Sequence, residues 1–226
     1  MKLEKVTKEA GGSEKRWYDD ACGTALAMEL VGERWSLLIV RELMFGPRRF
    51  SEIKGGLNGV SANVLTQRLD GLERAGIVGR RRLPSPANAQ VYELTPWGRA
   101  SETAIMELGR WAVRSSAHDV TLPLSPASMM MSFRTMYRGG GSGTIGFRFG
   151  RDVFVARLGD GIDIVRAEPD GADLVFEAAD PRMLAGAVYA KLPLAALAAE
   201  GALQVIGDPA AAQRFVDLFN LPEKMT

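Results

Sequence analysis

The sequence predicts an α+β protein built in two parts. Three observations carry that expectation. Apolar residues recur at helical spacing as far as about residue 116, interrupted by one strand pair. The stretch 119–128 holds Pro123 and Pro126 and few charges, so it reads as a linker. Beyond it, short β-rich segments are punctuated by Asp160-Gly161 and Asp170-Gly171, which are hairpin dipeptides. The expected division is therefore 1–118, a linker at 119–128, and 129–226.

In the first part, a helix is expected from Asp19 and Asp20 to Gly32, and a second from Arg34 to Phe45, stopped by Gly46-Pro47. A short helix, Phe50 to Lys54, is assigned Ser51 as its cap. After an Asn58-Gly59 turn, Ser61 caps a helix from about Ala62 to Ala75, with Val64, Leu65, Leu69 and Leu72 on its apolar face. Ile77 to Leu83 and Gln90 to Leu94 read as a hairpin whose first arm carries Arg80-Arg81-Arg82. Thr95-Pro96 opens a helix running to near Ser116. In the second part, a helix at Met129 to Tyr137 precedes strands at 144–149, 153–158, 161–167 and 172–178. A helix from Asp180-Pro181, a strand at 203–206 and a helix from Asp208-Pro209 to about Phe219 complete an α+β unit with an antiparallel sheet.

Composition limits the function. The chain has 226 residues, 46% hydrophobic and 24% charged, as in ordinary globular proteins. No run approaches the roughly 20 apolar residues of a membrane span. Met1 to Arg16 is charged and lacks the apolar core of a secretory leader, so a cytoplasmic protein with no membrane partner is expected. One cysteine and one histidine exclude a cysteine-rich zinc cluster or a histidine-rich metal site. There is no phosphate-cradling Gly-Lys loop and no nucleophile elbow. The expectation is a protein that is not an enzyme and uses no cofactor or metal.

Charge points elsewhere. Residues 34–99 hold 11 Lys/Arg against 5 Asp/Glu, in a chain whose net charge is +1. Such a local excess suits a polyanion. A short helix, a turn, a capped second helix and a basic hairpin follow the order of a winged helix-turn-helix. A helix fits the major groove, where base edges are distinguishable, and basic side chains on a hairpin meet phosphates or the minor groove. Double-stranded DNA is therefore the expected partner. Ser61, Ala62 and Asn63 open the reading helix, and Asn63 either reads a base or serves the helix start. Thr66 and Gln67 lie one turn on, and Gln67 can pair with adenine. Arg68, Arg48, Arg49, Arg80 and Arg82 are candidate phosphate or base contacts. Arg81 alternates with its neighbours and faces the other way.

Several blocks, in order, resemble the HxlR family of bacterial transcriptional regulators. They are Cys22 with Ala25-Leu26, Val31 to Leu43, Arg49 to Ile53, Leu65 to Leu69, Leu72 to Val78 and Tyr92 to Gly98. The resemblance covers about residues 18–115. It implies a dimeric winged-helix DNA binder whose interface uses the N-terminal segment and the helix after Pro96. Trp97, Ile105, Leu108 and Trp111 are the candidates there, unless they only pack the monomer. In some similar proteins the N-terminal cysteine senses oxidants or electrophiles. Cys22 is thus a redox candidate or an inert thiol, with Asp19 and Asp20 opposing its ionisation by like charge.

The second part resembles a sterol-carrier-protein-2-like (SCP2-like) domain, on Asp180-Pro181 with its helix, Gly201 to Gly207, and Asp208-Pro209 through Phe219. The resemblance implies an apolar cavity between sheet and helices. Met130, Phe133, Met136, Tyr137, Phe147, Phe149, Met183 and Tyr189 would line it, or would be ordinary core. Together these readings imply a homodimeric DNA-binding regulator, with repression the expected sign. An apolar small molecule in the second part would modulate its operator affinity. The alternatives are a small-molecule carrier or sequestering protein that retains a winged helix, or a thiol-based redox regulator acting through Cys22.

Overall fold

Local capping and apolar spacing place the helices close to where the sequence puts them. The structure, a computed structural model, describes residues 18–225. The Met1 to Arg16 segment, expected to hold no leader, lies outside the described residues. Helix α1 (Gly23–Val31) starts after Cys22 and buries none of its residues. Helix α2 (Ser36–Leu43) buries Ile39, Val40 and Leu43. Helix α3 (Phe50–Gly56) is capped differently from expectation. Its N-cap is Arg49, and Glu52 at the third helical position accepts the Arg49 backbone N–H at 2.7 Å. An acidic side chain reaching back does the work assigned to Ser51.

Helix α4 (Ala62–Arg74) has the expected cap: the Ser61 Oγ accepts from the Val64 N–H at 3.3 Å. Leu65, Leu69 and Leu72 are buried along one face. Gly76 follows at φ +71°, the left-handed conformation that ends helices. Strands β1 (Val78–Arg82) and β2 (Gln90–Leu94) form the antiparallel hairpin, with Arg80 opposite Tyr92 and Arg82 opposite Gln90. The helix expected after Thr95 is two helices, α5 (Pro96–Ala100) and α6 (Glu102–Ala112). The break falls at Ser101, whose hydroxyl donates to the Gly98 carbonyl at 2.7 Å and so competes with the helical ladder.

Helix α7 (Pro126–Met136) begins inside the stretch read as a linker, capped by Ser125, and Ala127 is buried. Strands β3 (Gly143–Phe149), β4 (Asp152–Leu158) and β5 (Ile162–Val165) form an antiparallel meander. Strand β6 (Leu174–Glu177) pairs with β3 in parallel. Helices α8 (Pro181–Tyr189) and α9 (Leu194–Ala199) lead to strand β7 (Gln204–Gly207), antiparallel to β6, and α10 (Pro209–Asp217) closes the chain. The sheet order is β5-β4-β3-β6-β7, antiparallel in all pairings but one. The six-residue α9 is not foreseen from the sequence, because it is too short to display a helical period.

The core favours one of the two readings of the apolar residues in the second part. Phe133 sits with its ring centroid 4.6 Å from Phe219, 5.3 Å from Phe215 and 5.4 Å from Phe147. Met130, Phe133, Met136, Tyr137, Phe147 and Phe149 are all buried in this cluster, with Met183 and Tyr189 packed against it. The Tyr189 hydroxyl bonds the Ser132 hydroxyl at 2.6 Å, and burial pushes its phenol up to about 12. The residues assigned to a ligand cavity are therefore packed on one another. Helices α7 and α10 bring their rings onto the sheet and fill the space between. The two parts also share this interior: one buried cluster runs from Ile39 to Phe219. Phe45 meets Phe154 edge-on at 5.7 Å, and ion pairs join Arg48 to Asp152 and Arg134 to Glu102 across the join.

Candidate nucleic-acid interface

The polar side of α4 follows from its spacing. With Leu65, Leu69 and Leu72 turned inward, Asn63, Thr66 and Gln67 share the outer face at three- and four-residue intervals. All three are exposed. The Thr66 hydroxyl donates back to the Ala62 carbonyl at 3.0 Å. The Asn63 and Gln67 amides make no side-chain hydrogen bond among the described residues, so their donors and acceptors are available to a base edge. Ser61 is committed to the cap, and Ala62 lies exposed at the first turn.

The arginines divide into engaged and available. Arg68 donates to the Arg34 carbonyl at 3.1 Å and pairs with Glu33 at 2.9 Å. Arg80 pairs with Asp70 and, at 2.8 Å, with Glu73, both on α4. It also lies 5.4 Å from the Tyr92 ring. Its role here is to clamp the hairpin beside the reading helix, one that the sequence alone did not expose. The signal was present: Asp70 and Glu73 are spaced i, i+3 and share a face. Arg81 pairs with Glu93 at 2.9 Å. Among the described residues Arg82 has only a neutral partner, the Asn88 Oδ1 at 2.9 Å, and keeps an uncompensated charge at the wing. Arg49, Lys54 and Arg74 are also exposed and in no ion pair among the described residues. Neither Lys54 nor Arg74 is assigned to DNA from the sequence.

Arg48 is a correction. It is buried, 9% exposed, because its guanidinium pairs with Asp152 of β4. Once β4 covers it, Arg48 belongs to the join between the two parts and not to a DNA-facing surface.

Trp97, Leu108 and Trp111 are 55%, 47% and 74% exposed, an unusual state for such side chains. Leu26 and Met28 of the unburied α1 are exposed as well. Ile105 differs, being partly buried against the core. Cys22 is exposed. Hydrogen bonds from the Thr24 backbone and side chain and the Ala25 backbone lower its thiol pKa below the ordinary range. No helix among the described residues is long and apolar enough to cross a membrane.

A capped helix with a free polar face, clamped to a basic hairpin, defines a winged helix-turn-helix of the type found in transcriptional regulators. The family profile described as HxlR-like helix-turn-helix matches residues 30–119. The chain is 38% identical over 86 residues to the uncharacterized HTH-type transcriptional regulator YvaP of Bacillus subtilis, spanning 38% of this chain and 80% of that protein. It is 40% identical over 86 residues to the HTH-type transcriptional regulator YodB of the same organism, spanning 38% of this chain and 77% of YodB. The chain belongs to the HxlR-like helix-turn-helix family. Among solved structures, the reduced form of YodB matches at 35% identity and a TM-score of 0.40, over 44% of this chain and all of YodB. YodB has also been solved diamide-treated, at 37% identity over 41% of this chain and 93% of that one. Its quinone-bound form matches at 35% over 40% and 96%, and both have a TM-score of 0.36.

Proposed function

We propose that the chain binds operator DNA as a homodimer and represses transcription. In this reading α4 enters the major groove and the β1–β2 wing tracks the backbone or the minor groove. The division of labour is 1–118 for DNA binding and dimerisation, 119–128 as connection, and 129–226 as an SCP2-like unit, and no catalytic step is assigned. One observation carries the DNA reading: the Asn63, Thr66 and Gln67 face is exposed, with two uncommitted amides, beside a wing that Arg80 holds in place. Exposed Trp97 and Trp111 support a second copy as partner. The order α7, strands, α8, β7, α10 supports the SCP2-like reading of the second part. The packed interior around Phe133 disfavours a carrier that holds its cargo there.

Fluorescence anisotropy on the DNA flanking the coding region tests this. Affinity should fall steeply as salt rises, because bound phosphates release counterions. Salt-independent or absent binding overturns the proposal. Two substitutions separate the roles. Gln67→Ala should cost about 1–3 kcal/mol on the preferred sequence and relax base preference. Arg82→Ala should weaken all sequences alike and reduce the salt slope by about 1. Equal loss on every sequence for Gln67→Ala contradicts its readout role.

A second reading rests on Cys22, exposed and with its thiol favoured toward ionisation by the α1 start. Its relative YodB has been solved with quinone bound. Treatment with a quinone should lower the DNA affinity of the parent chain and leave Cys22→Ser unchanged. A loss of the same size in both removes Cys22 from regulation.

A further inference from the structure

The join between the two parts encloses a cleft of about 660 Å³, within the range of small-molecule sites. Its polar wall is unevenly charged. Arg48 from the segment before α3 and Arg166 after β5 both pair with Asp152, and Arg48 also lies 3.8 Å from the exposed Glu52 carboxylate on the same lining. The buried carboxylate of this lining, Glu42, is already occupied. It accepts from Arg41 at 2.8 Å and from the Ser125 hydroxyl at 2.6 Å. Arg151 stands exposed on the same lining, without an ion pair among the described residues. The Nε–H groups of Arg48 and Arg166 are buried and have no hydrogen-bond acceptor among the described residues. Burial, reinforced by the Arg48 charge, lowers the Arg166 guanidinium from its ordinary pKa. The lining holds Arg41, Arg48, Arg151 and Arg166 against Glu42, Glu52 and Asp152, and this excess of one cation, with two orphaned buried donors, leaves a deficit that a further acceptor would relieve.

The other wall is apolar. Leu38, Leu57 and Leu124 line it with the ring of Trp35. Trp35 holds φ +81°, a left-handed conformation that is rare and costly for a bulky residue. Strain of this kind persists only where surrounding structure enforces it, and here it lies on the cleft. Gly56 also lines the cleft, and a Cβ there would meet the Glu42 carboxylate, so any larger residue would displace that side chain.

We propose that this cleft is a binding site for small organic carboxylates, with the carboxylate on Arg166 and Arg48 and an aryl or alkyl body against Trp35 and the leucines. A guanidinium fork matches a carboxylate in geometry as well as charge. The site is distinct from the filled interior around Phe133. It also borders Leu57 and Asn58, in the turn that leads from α3 to the reading helix. The binding claim stands without the DNA reading.

Calorimetry on the full chain tests it, with hexanoate, phenylacetate and 1-naphthoate at millimolar concentration and phenylacetamide as the neutral control. At least one carboxylate should bind at one per chain, and the amide should not bind. Arg166→Gln should weaken that carboxylate at least tenfold. The variant keeps the Arg48–Asp152 pair, so it should still fold. If it does not, Arg166→Lys serves instead, because it keeps the charge and loses the fork. No binding by any of the three carboxylates, equal binding of amide and acid, or unchanged affinity in the Arg166 variant each overturns the proposal.

Discussion

Phe133→Ala is expected to destabilise the protein by about 3–5 kcal/mol, the range for removing a fully buried aromatic ring. Phe133 is 0% exposed and touches Phe147, Phe215 and Phe219 with ring centroids within 5.4 Å. The loss has two parts, the transfer of a large apolar side chain and the void left behind. The void should persist, because the flanking rings are held by the sheet on one side and by α7 and α10 on the other. Urea unfolding followed by circular dichroism reads the effect as a lower midpoint at unchanged slope. A loss below about 1 kcal/mol would mean that the region is loosely packed, as a ligand cavity would be. Because the buried cluster is continuous from Ile39 to Phe219, the transition should be a single one that includes the winged helix.

If the chain pairs as proposed, Trp111→Glu should leave it monomeric at micromolar concentration. Trp111 is 74% exposed in the isolated chain, so the substitution leaves the monomer's own core intact. Truncating a central interface tryptophan removes about 2–4 kcal/mol of association energy, and a buried unpaired carboxylate adds to that. Analytical ultracentrifugation gives the mass directly. Operator affinity should fall with it, since a monomer engages one half-site. A variant that stays dimeric would place the interface elsewhere and leave Trp97 and Trp111 without a role.

The sequence was most informative where local rules act. The Ser61 cap, the leucine spacing of α4, the Arg80–Arg82 arm and the Thr95-Pro96 start all depend on near neighbours. Long-range pairing was not legible. Arg48 reads as one more basic residue beside Arg49 until β4, over 100 positions later, brings Asp152 against it. The same holds for the parallel union of β6 with β3, which no hairpin signal announces. The methionines and phenylalanines of the second part have a composition equally suited to a pocket wall and to a core. Only the ring-to-ring distances distinguish them. The HxlR resemblance stated from the motifs agrees with the family to which the chain belongs.

The central claim is that α4 lies in a major groove in each copy of a dimer. An iron chelate attached through Gln67→Cys, in a Cys22→Ser background, cleaves DNA wherever that face of the helix lies. The expected pattern is two focused clusters on the operator, separated by about one helical turn, roughly 34–36 Å, or a multiple of it. Binding without cleavage, or cleavage spread evenly along the duplex, would contradict the placement of α4 and with it the account of how this protein reads DNA.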